Sequence, residues 1–250
     1  MNTKAVSNRQ EAKYFAALAL APLAYGVAGF GPGFFSSLGH GYLEIPLYVH
    51  AHAVLMMGWL SIFLTQALLI ASGKQHWHRV LGRIGIVWLT IALATMAMLS
   101  LNNLVKPVPP PVDVFLGKLF SLQVSALVLG PVFLFLALRS LPDKSDHHRR
   151  YMSLLTLFLV EAATVRMGWL PGVNGLDTSV FAALLYPSFM LLLLIALDVK
   201  VLGRLHSATV TGLVLIFLSK LFCFWAWQSP FWQAATSSLE TFLRPNWPLS

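Results

Sequence analysis

Long apolar runs alternate with short polar gaps along the whole chain. A helix that crosses a bilayer needs about 20 mostly apolar residues. Stretches at roughly 14–34, 50–72, 80–102, 115–139, 151–170, 179–198 and 208–228 meet that pattern. The gaps carry turn chemistry. KPVPPPVD at 106–113 breaks helix pairing through its prolines, and LPGVNGLD at 170–177 reads as a turn. The pattern predicts an all-α fold: a single bundle of seven transmembrane helices over residues 1–250. The first run holds Pro22, Gly26, Gly29 and Gly31, which predicts an irregular helix whose small residues suit close packing. Its start, MNTKAVSNRQEAK before FAALALAPLA, has the shape of a signal peptide, but the apolar run continues past the usual length.

Composition supports a membrane setting. The chain is 57% hydrophobic and 10% charged, with a mean hydropathy of +0.72, where soluble domains carry about a quarter charged residues. The net charge of +8 would suit nucleic acid if it were clustered. It is spread over the gaps instead, so the expected partner is the lipid bilayer, with no nucleic acid. A cytoplasmic N-terminus places Lys4, Arg9, Lys13, Lys74, Arg79, Arg83, Arg139, Lys144, Arg149, Arg150, Lys200 and Arg204 inside, twelve of the 17 basic residues. The positive-inside rule then predicts N-in, C-out, with Trp169, Trp225 and Trp227 at the outer interface. Trp232, Phe231 and Trp247 predict that the tail at 229–250 lies along the outer surface. The single cysteine, Cys223, forms no disulfide within the chain. The sequence holds no GxSxG, HExxH or phosphate-binding loop, which leans away from an enzyme of those classes.

The histidines supply the candidate chemistry. His76, His78, His147, His148 and His206 fall at the inner starts of spans 3, 5 and 7. HWHRVLGRIGIVWL at 76–89 and DHHRRYMSLLTLFL at 146–159 form a weak repeat, so spans 2–3 and 4–5 read as related hairpins. Two imidazoles from different helices bind haem iron from both faces, which makes His78 with His148 or His206 a candidate haem b pair. The alternative is that these residues anchor helix ends at lipid phosphate. At the start of span 2, His52 lies four residues before Met56, a spacing that suits an imidazole–thioether copper site. His40 is a further candidate ligand. An interfacial histidine over a core methionine is the alternative.

Ionisable residues within spans are costly and usually pair or line a wet cavity. At about 1.5 Å per residue, Glu161 and Lys220 lie at matching depths of roughly 15 and 18 Å, so an ion pair is expected. With Arg166, Lys118 and Gln123 they form a candidate outer-half cavity for an anionic or quinone-like ligand, as in a small-molecule transporter or sensor. A purely structural pair is the alternative.

Several resemblances follow from these residues. His52, Trp59, Gln66, His78-Arg79 with Leu81-Gly82, HRRYM at 148–152, Arg166 with Leu170-Pro171, and Asp198 with GRLHSAT at 203–209 are similar to a group of bacterial seven-span inner-membrane proteins without an established activity. That resemblance implies the fold and a bacterial cytoplasmic membrane. HAH…GW in span 2 resembles a pattern of haem–copper oxidase relatives and of haem- and copper-containing nitric-oxide-response proteins. HRxLG resembles two-haem ascorbate-reducible cytochromes. These likenesses imply a haem- or metal-associated redox or assembly protein. A non-catalytic partner of a membrane complex is the remaining alternative.

Overall fold

The computed structural model describes residues 8–39, 45–141, 143–173 and 175–247. They form α1 (Asn8–Gly39), α2 (Leu47–Ala71), α3 (Gln75–Val105), α4 (Val112–Arg139), α5 (Ser145–Leu159), α6 (Leu176–Leu202), α7 (Ser207–Gln228) and α8 (Pro230–Leu243). A 3-10 segment, Val160–Arg166, continues α5, and a short one, Arg244–Asn246, ends the described chain. The described residues contain no strand. Helices α1, α2, α3, α4, α6 and α7 are long and apolar enough to cross a membrane.

The fifth predicted run, 151–170, differs from the others. It is α-helical only to Leu159 and then tightens into the 3-10 segment, which ends at Arg166. The reason lies in its surroundings. Helix α5 packs against α1, α4, α6 and α7, and Arg150, Tyr151 and Ser153 through Val160 are all buried. A helix sheathed by protein needs no lipid-facing apolar surface, so it can start with the polar run SDHHRR. Leu154, Leu155 and Leu157 meet Leu89, Phe133 and Leu194 in the main core, and the Phe133 and Phe158 rings stand edge to face at 6.4 Å.

Small residues set the close approaches. Helix α1 runs unbroken through Pro22 and Pro32, where the sequence predicts irregularity. Its Gly29 lies against the 3-10 segment: a Cβ there would meet the Ala163 carbonyl oxygen at 2.5 Å. A Cβ on Gly58 would meet the Trp88 ring at 2.5 Å, and the Trp88 indole donates to the Leu55 carbonyl at 2.7 Å. Helix α2 ends at a turn in which Gly73 takes φ +76°, and α6 ends at Gly203 with φ +69°. Both positions favour glycine because a Cβ is strained there.

The tail is helical from Pro230 to Asn246. Ser229 caps α8 by accepting from the Trp232 amide at 3.3 Å, and the Trp232 indole donates to the Gly117 carbonyl at 3.1 Å. Helix α8 thus packs across the ends of α3, α4 and α7. Trp227 is buried rather than interfacial, because its indole donates to the Lys118 carbonyl and the Ser121 hydroxyl, each at 3.1 Å. Trp169 and Trp225 remain exposed.

Candidate functional site

The starts of α3, α5 and α7 share one end of the bundle, here called the histidine end. His78 and His148 occupy equivalent places there. The His78 Nδ1 donates to the carbonyl of Gln66 on the preceding helix at 3.4 Å, a long bond. The His148 Nδ1 donates to the carbonyl of Ala137 on its own preceding helix at 3.0 Å. Each ring therefore reaches back across its hairpin by nearly the same number of residues, 12 and 11. The two rings are near enough for the charge of one to bear on the other. A carbonyl accepts only, so both rings carry their proton on Nδ1 and present an unprotonated Nε2. That is the tautomer of an imidazole held ready for iron or a divalent metal.

His206 is built differently. Its Nδ1 accepts the Ala208 amide at 3.1 Å as the cap of α7, so its neutral ring keeps the proton on Nε2. It stands edge-on to His147 at 4.5 Å, and His147 meets the Ser207 hydroxyl through Nε2 at 3.2 Å. Burial, then the Arg150 and His147 charges, hold His206 down to about 4. His76 is exposed beside Trp77.

Next to these histidines lies an ion network. Arg150 and Asp198 are both 0% exposed and pair at 2.7 Å through Nε and Oδ1. The second oxygen of Asp198 accepts the His206 amide at 2.9 Å. Arg149 reaches Glu11 at 2.8 Å and Asp146 at 2.5 Å, and Arg150 lies 3.6 Å from the same Glu11 oxygen. Both guanidiniums cover the Phe15 ring. The network ties α1, α5 and α6 to the turn before α7.

A polar stripe runs along α2. His52, Trp59 and Gln66 recur every seven residues and so share one helix face, which is turned to α3. The His52 Nδ1 donates to Thr95 Oγ1 at 3.1 Å, whose own hydroxyl donates to the Ala92 carbonyl at 2.8 Å. Trp59 lies 3.8 Å from a Cβ placed on Gly85, and the Gln66 amide nitrogen 3.2 Å from one on Gly82. The Trp59 indole nitrogen and the Gln66 Oε1 are buried without a hydrogen bond. Met56 packs against the main core. His40 lies outside the described residues, and among the described residues no group of three or more His, Cys, Asp or Glu is placed to hold a metal.

In the other half of the bundle, Lys220 is ion-paired to Glu161, as their matching depths predict, and lies over the Phe158 ring at 5.6 Å. Tyr25 and Thr164 share a hydrogen bond of 2.7 Å. Arg166 donates to the Ala162 carbonyl at 2.9 Å and covers the Phe30 ring at 4.5 Å. Lys118 and Gln123 sit on α4, half-buried. Two shallow apolar grooves of about 320 and 270 Å³ flank α6, and no histidine lines either.

Sequence reasoning found the histidines and the Glu161–Lys220 pair. It passed over Glu11 and Asp198 as ionic partners, and it read Arg149 and Arg150 as topology signals and as part of the HRRYM stretch, not as an ion network. The signal for Asp198 was available, since it is an acid at the end of an otherwise apolar run. No protein-family model, curated protein or solved structure matches this chain.

Proposed function

We propose that this multi-span membrane protein holds a haem or a transition-metal ion between His78 and His148, as a redox or assembly protein. The observation that carries this reading is the matched pair of rings. Each has Nδ1 fixed on a backbone carbonyl of the preceding helix and Nε2 unprotonated. The orphaned Gln66 Oε1, on the residue that holds His78, adds an acceptor for a bound group or its water. His148 serves better than His206, whose Nδ1 lone pair is spent on a helix cap. Bound haem b would supply one-electron chemistry. The chain's own residues orient it: two hairpins fix the rings, and the exposed Arg79 is placed to meet a propionate. His52 with Met56 offers two donors for Cu(I), one imidazole and one thioether.

The same reading has seven crossings, N-in and C-out, in a bacterial cytoplasmic membrane. Helix α5 with its 3-10 continuation reaches about 36 Å, enough for a hydrocarbon core of about 30 Å. Eleven basic residues between Arg9 and Arg204 fall on the histidine side among the described residues, and α8 then rests on the outer surface with Phe231 and Phe242 toward lipid.

Absorption spectroscopy and metal analysis of protein purified after haem-supplemented expression test the site. The expected result is a Soret band, or stoichiometric metal, lost at least tenfold in His78→Ala and His148→Ala and retained in His206→Asn. Absence of both haem and metal from the folded protein overturns it.

A further inference from the structure

We propose that the groove between α1 and α6 at the histidine end binds one anionic phospholipid, with an acyl chain along the groove and the phosphate at Lys200 and Tyr14. The inference rests on the membrane setting of the helices and is independent of the haem or metal reading.

The groove itself is the first observation. It has a volume of about 270 Å³ and is lined on α1 by Tyr14, Ala17 and Leu18, and on α6 by Leu193, Ala196, Leu197 and Lys200. From Leu193 to Lys200 it follows the α6 axis for about 10 Å. Ala17 and Ala196 are both exposed, so methyl groups stand where larger side chains would fill the space. The walls are apolar over this length, and the polar groups gather at one end.

That end is the second observation. Lys200 lies two residues before the end of α6, at the level where a spanning helix meets the headgroups. Its Nζ is held over the Tyr14 ring, 4.3 Å from the centroid, so the charge is kept at the mouth of the groove. The Tyr14 hydroxyl accepts from the Gln10 amide at 2.9 Å and keeps its own proton to donate. Lys13, exposed, lies four residues before Ala17 and so shares its face of α1. Among the described residues no carboxylate pairs with Lys13 or Lys200. The acids nearest in sequence, Glu11 and Asp198, are buried and committed to Arg149 and Arg150.

These parts select the occupant. An apolar groove on a spanning helix pair takes an acyl chain, and two uncompensated ammonium groups at its mouth attract a phosphate. A net negative headgroup complements them. The quaternary ammonium of phosphatidylcholine cancels that charge within its own headgroup.

Thermal shift of the full-length protein in a neutral maltoside detergent reads binding. The probes are dioleoyl phosphatidylglycerol, dioleoyl phosphatidylcholine and inorganic phosphate. The expected result is a saturable rise in Tm with phosphatidylglycerol that neither of the others reproduces. Lys200→Gln should raise the phosphatidylglycerol concentration at half-maximal shift several-fold, and Lys200→Arg, which keeps the charge and the ring contact, should stay near the parent. Ala196→Leu fills the groove, leaves every charge in place and should also weaken binding several-fold. Both positions are exposed, so these variants should melt near the parent without lipid. No saturable rise with phosphatidylglycerol overturns the proposal. So does an equal rise with phosphatidylcholine, which marks a groove for any lipid, or with phosphate alone, which marks a site for a free anion. An unchanged half-maximal concentration in Lys200→Gln or in Ala196→Leu overturns it as well.

Discussion

At the histidine end, Arg150 and Asp198 are each sealed from solvent, and neither is tolerable there alone. Desolvating two charges costs several kcal/mol per ion, which a 2.7 Å pair with further hydrogen bonds offsets. Removing one partner leaves the other buried and charged. Asp198→Ala should therefore destabilise the folded protein by about 3–5 kcal/mol. An Arg150→Met, Asp198→Leu double variant should recover much of that loss. Melting curves in detergent check both. His206 sets a pH dependence beside the same pair. Its native value of about 4 lies below its ordinary value near 6.5, so as pH falls the unfolded chain takes up a proton first. Stability is fully present above about 6.5 and declines as pH drops toward about 4. His206→Asn keeps a capping acceptor and removes this titration. Its Tm should fall less than the parent's between pH 7 and 4.5.

The helices show what a hydrophobic pattern reveals and what it hides. Apolar runs facing lipid announce themselves, so six long helices and their proline and glycine turns were legible, although α1 runs Asn8–Gly39 against a predicted 14–34. Helix α5 departs from the other apolar runs because its polar start and its shift to 3-10 geometry answer to neighbours, not to lipid. The pairing of Glu161 with Lys220 was legible because both interrupt apolar runs at matching depth. The Glu11–Arg149–Arg150–Asp198 network was not, because charges at helix ends read equally well as topology signals. Tautomers were beyond reach, since they depend on which carbonyl a folded ring meets. Gly58 makes room for Trp88. Glycine contacts also give a prediction at this scale. Gly29→Ala forces the α1 backbone off the Ala163 carbonyl and should cost about 1–3 kcal/mol. Gly33→Ala, in open space on the same helix, should be neutral or slightly stabilising. Thermal denaturation of the two variants side by side separates these outcomes.

For the molecule as a whole, the segment 145–166 decides the topology. If it crosses, the two ends of the chain lie on opposite sides of the membrane; if it does not, they share a side. Reporter fusions after Leu141 and after Leu202 should both read cytoplasmic, and one after Trp247 should read external. A cytoplasmic signal after Trp247 would remove the seventh crossing and the depth assigned to every side chain. The sheathed position of α5 also has a biosynthetic consequence. Newly made segments leave the translocon according to how well each partitions into lipid, and a helix opening with SDHHRR partitions poorly by itself. It should wait in the aqueous channel until α6 and α7 emerge to shield it. In chains halted before α6 has emerged, a cysteine placed in α5 should then react with a water-soluble thiol reagent, whereas in the full-length protein it should be protected.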